Sequence, residues 1–164
     1  MPADADALAE VYRDAARNLG TQAYTSEQAR VWAMHPEDVE EFRATLSEGV
    51  TVCAVVDDSP VAFGQMHPAD HIAYLYCHSA HARRGYATAI LAKLEQQAAA
   101  GGVDALRVEA SCVAKPFFEK AGYHVVEEER PMRHGVAFLR YKMAKKVANQ
   151  ALQLTENPSN HLRK

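Results

Sequence analysis

Long apolar runs are missing from this chain. No stretch approaches the roughly 18 to 20 residues that a membrane-spanning helix needs. The amino terminus carries Asp4, Asp6 and Glu10 where a secretory signal would be basic and then apolar, so a soluble, cytoplasmic protein is expected. Cysteine is scarce and odd in number. Cys53 and Cys77 lie in strand-like runs and, with Cys112, read as reduced thiols rather than a disulfide framework. No G-x-x-x-x-G-K-[ST] occurs, which excludes a phosphate-loop NTPase. The three-glycine turn that dinucleotide binding requires is absent as well. Positive charge is not in excess: the formal net charge is -3, so no global field favours nucleic acid. A local basic cluster at Arg140, Lys142, Lys145 and Lys146 reads as a solvated strand edge. His67 and His71 stand four apart, but Pro68 and Asp70 between them deny a shared helical face, and no metal site is expected.

What is present fits one domain with one substantial core, placed at residues 1–146, with a polar, weakly patterned tail at 147–164. Leu8, Val11, Tyr12, Ala15 and Leu19 recur at helical spacing, and Gly20 ends that helix. Thr25 with Gln28 forms a capping-box pattern for a second helix carrying Val31 and Trp32. Pro36 to Asp38 opens a third, with Val39, Phe42 and Leu46 on one face. Three strand-like runs follow at Val50–Val56, Val61–His67 and His71–His78, the first two joined by a turn at Asp57 to Pro60. After a helix with a stripe of Ala87, Ile90, Leu91, Leu94 and Ala98 come a strand at Ala105–Ala110 and a short helix at Lys115–Ala121. A long hairpin closes the domain, running out over Tyr123–Glu129, turning at Arg133 to Gly135 and returning over Val136–Lys145.

The segment His81-Ala82-Arg83-Arg84-Gly85-Tyr86-Ala87-Thr88 carries most information. It links a strand to the longest amphipathic stretch through a glycine-containing turn. A helix start gathers backbone N–H groups with no intrahelical partner, and with the positive end of the helix dipole they form an anion site. Arg83 and Arg84 add charge suited to a phosphate or pyrophosphate. The plainer alternative is an ordinary turn with solvated arginines.

Two patterns in order decide between these. Arg84-Gly85-Tyr86-Ala87 resembles the acetyl-CoA pyrophosphate loop, [Q/R]-x-x-G-x-[G/A], of the GNAT N-acetyltransferase superfamily. Ser111-x-x-Ala114-x-x-x-Phe118-x-Lys120-x-Gly122-Tyr123 resembles that family's later N-x-x-A-x-x-x-Y-x-K-x-G-F pattern. Glu109-Ala110-Ser111 with Pro116-Phe117-Phe118-Glu119 is similar to a YafP-like bacterial subgroup. The resemblance implies an α/β (α+β) fold: one domain with a mixed, mostly antiparallel sheet of six to seven strands, flanked by helices. The family's fourth and fifth strands, here His71–Cys77 and Ala105–Ala110, would splay apart. It also implies that Arg83, Arg84, Gly85, Tyr86, Ala87 and Thr88 hold the pyrophosphate of acetyl-CoA. Tyr76 and Cys77 would pair with the pantetheine arm through their backbones. Ser111, Phe117 and Phe118 would flank that arm, and an N–H near Tyr76 to His78 would serve the oxyanion. Ala82 stands at the [Q/R] position, Ser111 replaces an Asn, and Phe118 replaces the tyrosine thought to protonate the leaving thiolate. The chain also begins about where the family's first strand should already have ended. A homodimer is a common assembly in families of this kind.

Acetyl transfer needs a neutral amine, a donor for the oxyanion and a held thioester. Two residues are candidates for the base. His71 has an ordinary pKa of about 6.5, near neutrality, or it is an exposed turn histidine. Glu109 lies on the face of Ser111 and is either functional or the ion-pair partner of Arg107 or Arg133. An ordered water chain is the third option. Tyr76, Tyr123 and Tyr141 are the phenols that could replace the missing acid, and Cys112 is a candidate for an acidified thiol. Tyr24, Trp32, Met34 and His35 offer an aromatic wall for an acceptor, or else pack as a helix stripe. The expectation is an acetyl-CoA-dependent N-acetyltransferase acting on a small-molecule or peptide amine. The alternative is a non-catalytic acyl-CoA-binding or sensor domain.

Overall fold

The computed structural model describes residues 4–147, and the tail expected over 147–164 lies, beyond Val147, outside the described residues. Helix α1 (Ala5–Asn18) turns Leu8, Val11, Tyr12 and Ala15 inward, as their spacing requires. Helix α2 (Ser26–Trp32) is started by the expected capping box: Thr25 Oγ1 accepts from the Gln28 N–H at 3.1 Å, and Gln28 Oε1 accepts from the Thr25 N–H at 2.9 Å. Helix α3 (Val39–Leu46) begins later than Pro36, because the Asp38 carboxylate accepts from the N–H groups of Glu40 and Glu41 and fixes the cap there.

The sheet follows. Strands β1 (Val50–Val56) and β2 (Ser59–Met66) form a hairpin whose turn is only Asp57-Asp58, both at positive φ. Pro60 therefore belongs to the strand, opposite Val55 at a bulge. Strand β3 (His71–Cys77) completes a meander. Helix α4 (Tyr86–Ala100) leads to β4 (Ala105–Ser111), and α5 (Lys115–Lys120) leads to β5 (His124–Glu129). The α5 exit through Gly122 has both bonds of a Schellman cap, Tyr123 N–H to Phe118 O at 2.9 Å and Gly122 N–H to Glu119 O at 3.0 Å.

The returning arm is not continuous. Val136–Ala137 (β7) pairs with Met132–Arg133 (β6) as a separate flap, Phe138 turns inward, and β8 (Arg140–Lys146) begins afterwards. Strand order is β1-β2-β3-β4-β8-β5, antiparallel throughout except for the β3–β4 pair. The basic run at Arg140 to Lys146 thus occupies an interior strand rather than an edge. Glu129 pairs with Arg140, Glu127 and Glu129 with Lys142, and Glu95 with Lys145. Among the described residues no strand precedes α1, and β1 forms one edge of the sheet.

The sheet is covered on both faces. Helix α4 packs Ile90, Leu91 and Leu94 against Met66, Ile72 and Leu106. On the opposite face α1, α2 and α3 bury Leu8, Trp32 and Phe42 against Phe63. Gly64 marks where α4 lies closest to the sheet, for a Cβ there would sit 2.7 Å from Ile90 Cγ2. Among the described residues no helix is long and apolar enough to cross a membrane.

Candidate active site

Strands β3 and β4 meet only at His71 with Arg107 and Ile72 with Val108, and beyond that point they separate. A bulge in β3 between the partners of Gln65 and Met66 makes Ala73 an extra residue just where the strands part. It shifts the side-chain phase. Ile72, Leu75 and Cys77 face α4, whereas Tyr74 and Tyr76 share the opposite face with His71. The backbone phase follows. His78 donates its N–H to Val61 O at 2.8 Å, so that donor is already spent on β2. Because a strand alternates, the N–H of Tyr76 faces β2 as well, while those of Leu75 and Cys77 point into the split. Of the three backbone donors read from the sequence, Tyr76, Cys77 and His78, only Cys77 is turned toward the gap. Leu75 had not been singled out.

At the end of β3 a short turn (Ser79–His81) is fastened to α1. Asp14 accepts from the Ser79 N–H at 2.6 Å and from the Ser79 hydroxyl at 3.2 Å, and it lies 3.3 Å from His78 Nε2. His78 Nδ1 in turn accepts from the Ala80 N–H at 3.1 Å, which leaves the ring proton on Nε2 facing Asp14. Burial, followed by the Asp14 charge, pushes the Cys77 thiol up from its ordinary range. Then comes the predicted glycine turn. Gly85 has φ +87°, and nothing stands within 4 Å of where its Cβ would be, so the turn is open on its outer side. The first intrahelical bond is Ala89 N–H to Gly85 O, and no side chain caps the helix. The N–H groups of Tyr86, Ala87 and Thr88 therefore lack intrahelical acceptors. Arg83 and Arg84 are exposed beside them, with no ion-pair partner among the described residues. Thr88 and Phe117 face each other across a groove of about 300 Å³ between α4 and α5.

A cavity of about 90 Å³ lies on the other side of the split. Tyr12, Tyr24, Trp32, Tyr76 and Phe138 form its apolar wall, and Glu109, Ser111, Arg133 and Arg140 supply its polar groups. Glu109 is paired neither with Arg107, which goes to Asp70, nor with Arg133. Its partner is His71, whose Nε2 lies 2.6 Å from Glu109 Oε2 while Nδ1 lies 3.2 Å from His67 O. The two candidate bases thus form one unit, and His71 is not a free turn histidine. The hydrogen bond from His71 is the main reason that the Glu109 carboxyl is held below the usual glutamate range; burial works against it, and the charges of His71 and Arg140 reinforce it. The phenols move the other way. Burial raises Tyr12, Tyr24 and Tyr76, and pushes Tyr74 up to about 12.

The remaining candidates are dispersed. Ser111 Oγ accepts from the Ala114 N–H at 3.1 Å, which leaves its own proton free to donate. Cys112 precedes α5 rather than starting it; its thiol lies 3.3 Å from Leu139 O and its N–H donates to the Tyr24 hydroxyl at 3.1 Å. Phe118 is buried beneath the groove, its ring edge-on to Phe117 and Tyr123. Tyr123 donates to Glu95 at 3.0 Å, and Tyr141 lies under the Lys115 ammonium, so neither phenol reaches the cavity. Of the expected aromatic wall, Tyr24 and Trp32 line the cavity, His35 stacks on Tyr74, and Met34 faces outward. Tyr12 and Phe138 were not named as wall residues, and Arg133 was named only as a possible ion-pair partner of Glu109; all three line the cavity. Among the described residues no group of three His, Cys, Asp or Glu side chains could hold a metal ion.

The model of the acetyltransferase (GNAT) domain matches residues 20–145. The chain is 29% identical over 144 residues to an uncharacterized N-acetyltransferase, YafP of Escherichia coli K12, covering 87% of this chain and 90% of that protein. It is 32% identical to a GCN5-related N-acetyltransferase from Rhodopseudomonas palustris whose crystal structure superposes with a TM-score of 0.85, covering 89% of this chain and 91% of that one. The fold is shared more distantly, at 18% identity and a TM-score of 0.68, with PaiA N-acetyltransferase from Thermoplasma acidophilum, solved in complex with coenzyme A; the match covers 89% and 94% of the two chains. The family match across most of the sequence places this chain in the GNAT acetyltransferase family.

Proposed function

We propose that this protein moves an acetyl group from acetyl-CoA to the amine of a small molecule or peptide by direct attack. The observation that carries the reading is the opposition of two features across one split: free backbone donors and an open helix start on one side, and the Glu109–His71 pair in an aromatic cavity on the other. In this reading the N–H groups of Tyr86 to Thr88, with Arg83 and Arg84, take the pyrophosphate. The pantetheine arm lies along the open edge of β3 at Leu75 and Cys77, with Ser111 and Phe117 at its flank and Phe118 beneath. The Cys77 N–H meets the thioester carbonyl oxygen, where negative charge develops.

Glu109 faces the cavity and His71 stands behind it. A carboxylate held ionised accepts a proton poorly from a free ammonium. It accepts one readily once the nitrogen has bonded to the carbonyl carbon and become strongly acidic. The N–C bond forms, the C–S bond breaks, and the electron pair leaves on sulfur as the CoA thiolate. The proton passes to Glu109 and then to solvent. His71, donating from Nε2, holds the Glu109 carboxylate in place. With Phe118 at the acid position, the thiolate leaves unprotonated. The reading carries with it a bacterial cytoplasmic setting, where free thiols persist and acetyl-CoA is available. A homodimer remains the assembly to check by sedimentation.

Thioester consumption over an amine panel, with calorimetric titration of CoA, tests this. Turnover on some amine, together with Gly85→Asp abolishing CoA binding, is the expected result. Strain alone at that φ costs about 1–2 kcal/mol, and aspartate is among the residues that tolerate it, so the variant should remain folded. Tight CoA binding with no turnover on any amine would favour the sensor reading.

A further inference from the structure

The charge around the acceptor cavity does not balance. Two arginines and one carboxylate line it, and Glu109 stays ionised because His71 and Arg140 hold its carboxyl down. Arg140 is neutralised by its ion pair with Glu129. Arg133 is not. Among the described residues no carboxylate lies within ion-pair distance of its guanidinium. Glu37, which shares the shallow cleft beneath Arg133, is engaged by His134 Nε2 at 2.6 Å. Meanwhile the Arg133 charge is felt across the cavity wall: it opposes the burial that raises Tyr12 and Tyr76, and it adds to the burial that lowers His35. The guanidinium thus stands at the exposed rim of a buried aromatic wall, beside the Tyr12 hydroxyl and with no carboxylate partner among the described residues.

Resting on the acetyl-transfer reading, we infer that the acceptor is a small amine that also bears an anionic group, a carboxylate or a phosphate, on an apolar or aromatic body. Arg133 takes the anion, the walls of Tyr12, Trp32 and Phe138 take the body, and the amine points to Glu109. A polyamine or aminoglycoside-like polycation would bring a second positive charge against Arg133 and is disfavoured. Arg133 sits on the β6–β7 flap, and Phe138, next after β7, packs against Tyr24 with ring centres 5.6 Å apart, so one short segment supplies both the cation and one wall of the cavity.

The test compares matched acceptors in a CoA-release assay: phenylalanine, phenylalaninamide and phenethylamine, with aminoethylphosphonate and spermidine as further arms. The carboxylate acceptor should exceed its amide in kcat/KM by about tenfold or more, as expected for one charge-assisted contact. In Arg133→Gln that preference should disappear through a rise in KM, Arg133→Lys should restore part of it, and CoA affinity by calorimetry should stay within about twofold. Preference for aminoethylphosphonate over phenylalanine would assign the anion as phosphate-like. Equal or better turnover of phenylalaninamide or spermidine, or a carboxylate preference that survives in Arg133→Gln, overturns the inference and leaves acetyl transfer standing. If no amine of any charge is acetylated while CoA binds, the transferase reading itself fails.

Discussion

His71 Nε2 stands 2.6 Å from Glu109 Oε2, although 38 positions separate the two residues in sequence. The contact closes the only stretch where β3 and β4 remain paired, one residue pair before the strands part. A carboxylate at that point is fixed from behind and open in front.

Removing the carboxylate should be more damaging than removing the ring behind it. Glu109→Gln is expected to lower kcat by about 10²-fold or more, the usual share of a positioned base, with the KM for acetyl-CoA unchanged. His71→Ala should cost less, about tenfold, because the carboxylate survives but is no longer oriented. Steady-state kinetics on any accepted amine will check this. A Glu109→Gln enzyme of near-normal kcat would transfer the role to water.

The same pair gives stability a definite pH dependence. The folded carboxyl of Glu109 lies below the ordinary glutamate value of about 4.3. Between those two values the unfolded chain binds more protons, so the contribution is complete above about pH 5 and is lost as pH falls through the folded value. Urea unfolding at a series of pH values between about 5 and 3 should therefore show a shallower decline in Glu109→Gln than in the wild type. His71→Ala should flatten the slope as well, because its hydrogen bond is the largest cause of the shift and Arg140 supplies only a lesser part.

Gly64 lets helix α4 approach the sheet closely. In Gly64→Ala the new methyl would meet Ile90 Cγ2 at 2.7 Å and Leu94 Cδ1 at 3.0 Å. The Leu94 methyl can yield, but Ile90 Cγ2 sits on a β-branched carbon and must shift with its helix, so the expected cost is about 1–3 kcal/mol. Chemical denaturation will read that loss. Since α4 also carries Gly85 to Thr88, CoA affinity should weaken in parallel, whereas a surface substitution such as Lys93→Ala should change neither.

Most elements were legible because their causes are local. The Thr25–Gln28 capping box, the inward stripe of α1 and the Gly122 exit from α5 depend on neighbours within about four residues, and each formed as read. The turn at Gly85 was legible for the same reason. Where the reading slipped, a distant partner had intervened. Pro60 joined a strand because it pairs with Val55, with Val61 the extra residue of the bulge, and the returning arm broke at Phe138 because that ring is drawn in against Tyr24. Arg140, Lys142 and Lys145 left the edge because β8 inserts between β4 and β5, next to the acidic residues of β5 and α4.

By itself, then, the sequence determined the family, the order of helices and strands, and the place of the glycine turn at Gly85, since spacing, caps and turn residues act over short separations. Tertiary structure alone decided that His71 and Glu109 form a pair, that Cys77 rather than His78 aims its N–H into the split, and that Arg133 overlooks the aromatic cavity. One added residue in β3, Ala73, is the physical reason for the second, whereas His71 lies before it and meets Glu109 through the β3–β4 register. A bulge reverses which face each later side chain and amide occupies, and it exists only in relation to the strand beside it. Arg133 owes its position to a flap that closes over α1 and α2, a contact between segments more than a hundred residues apart.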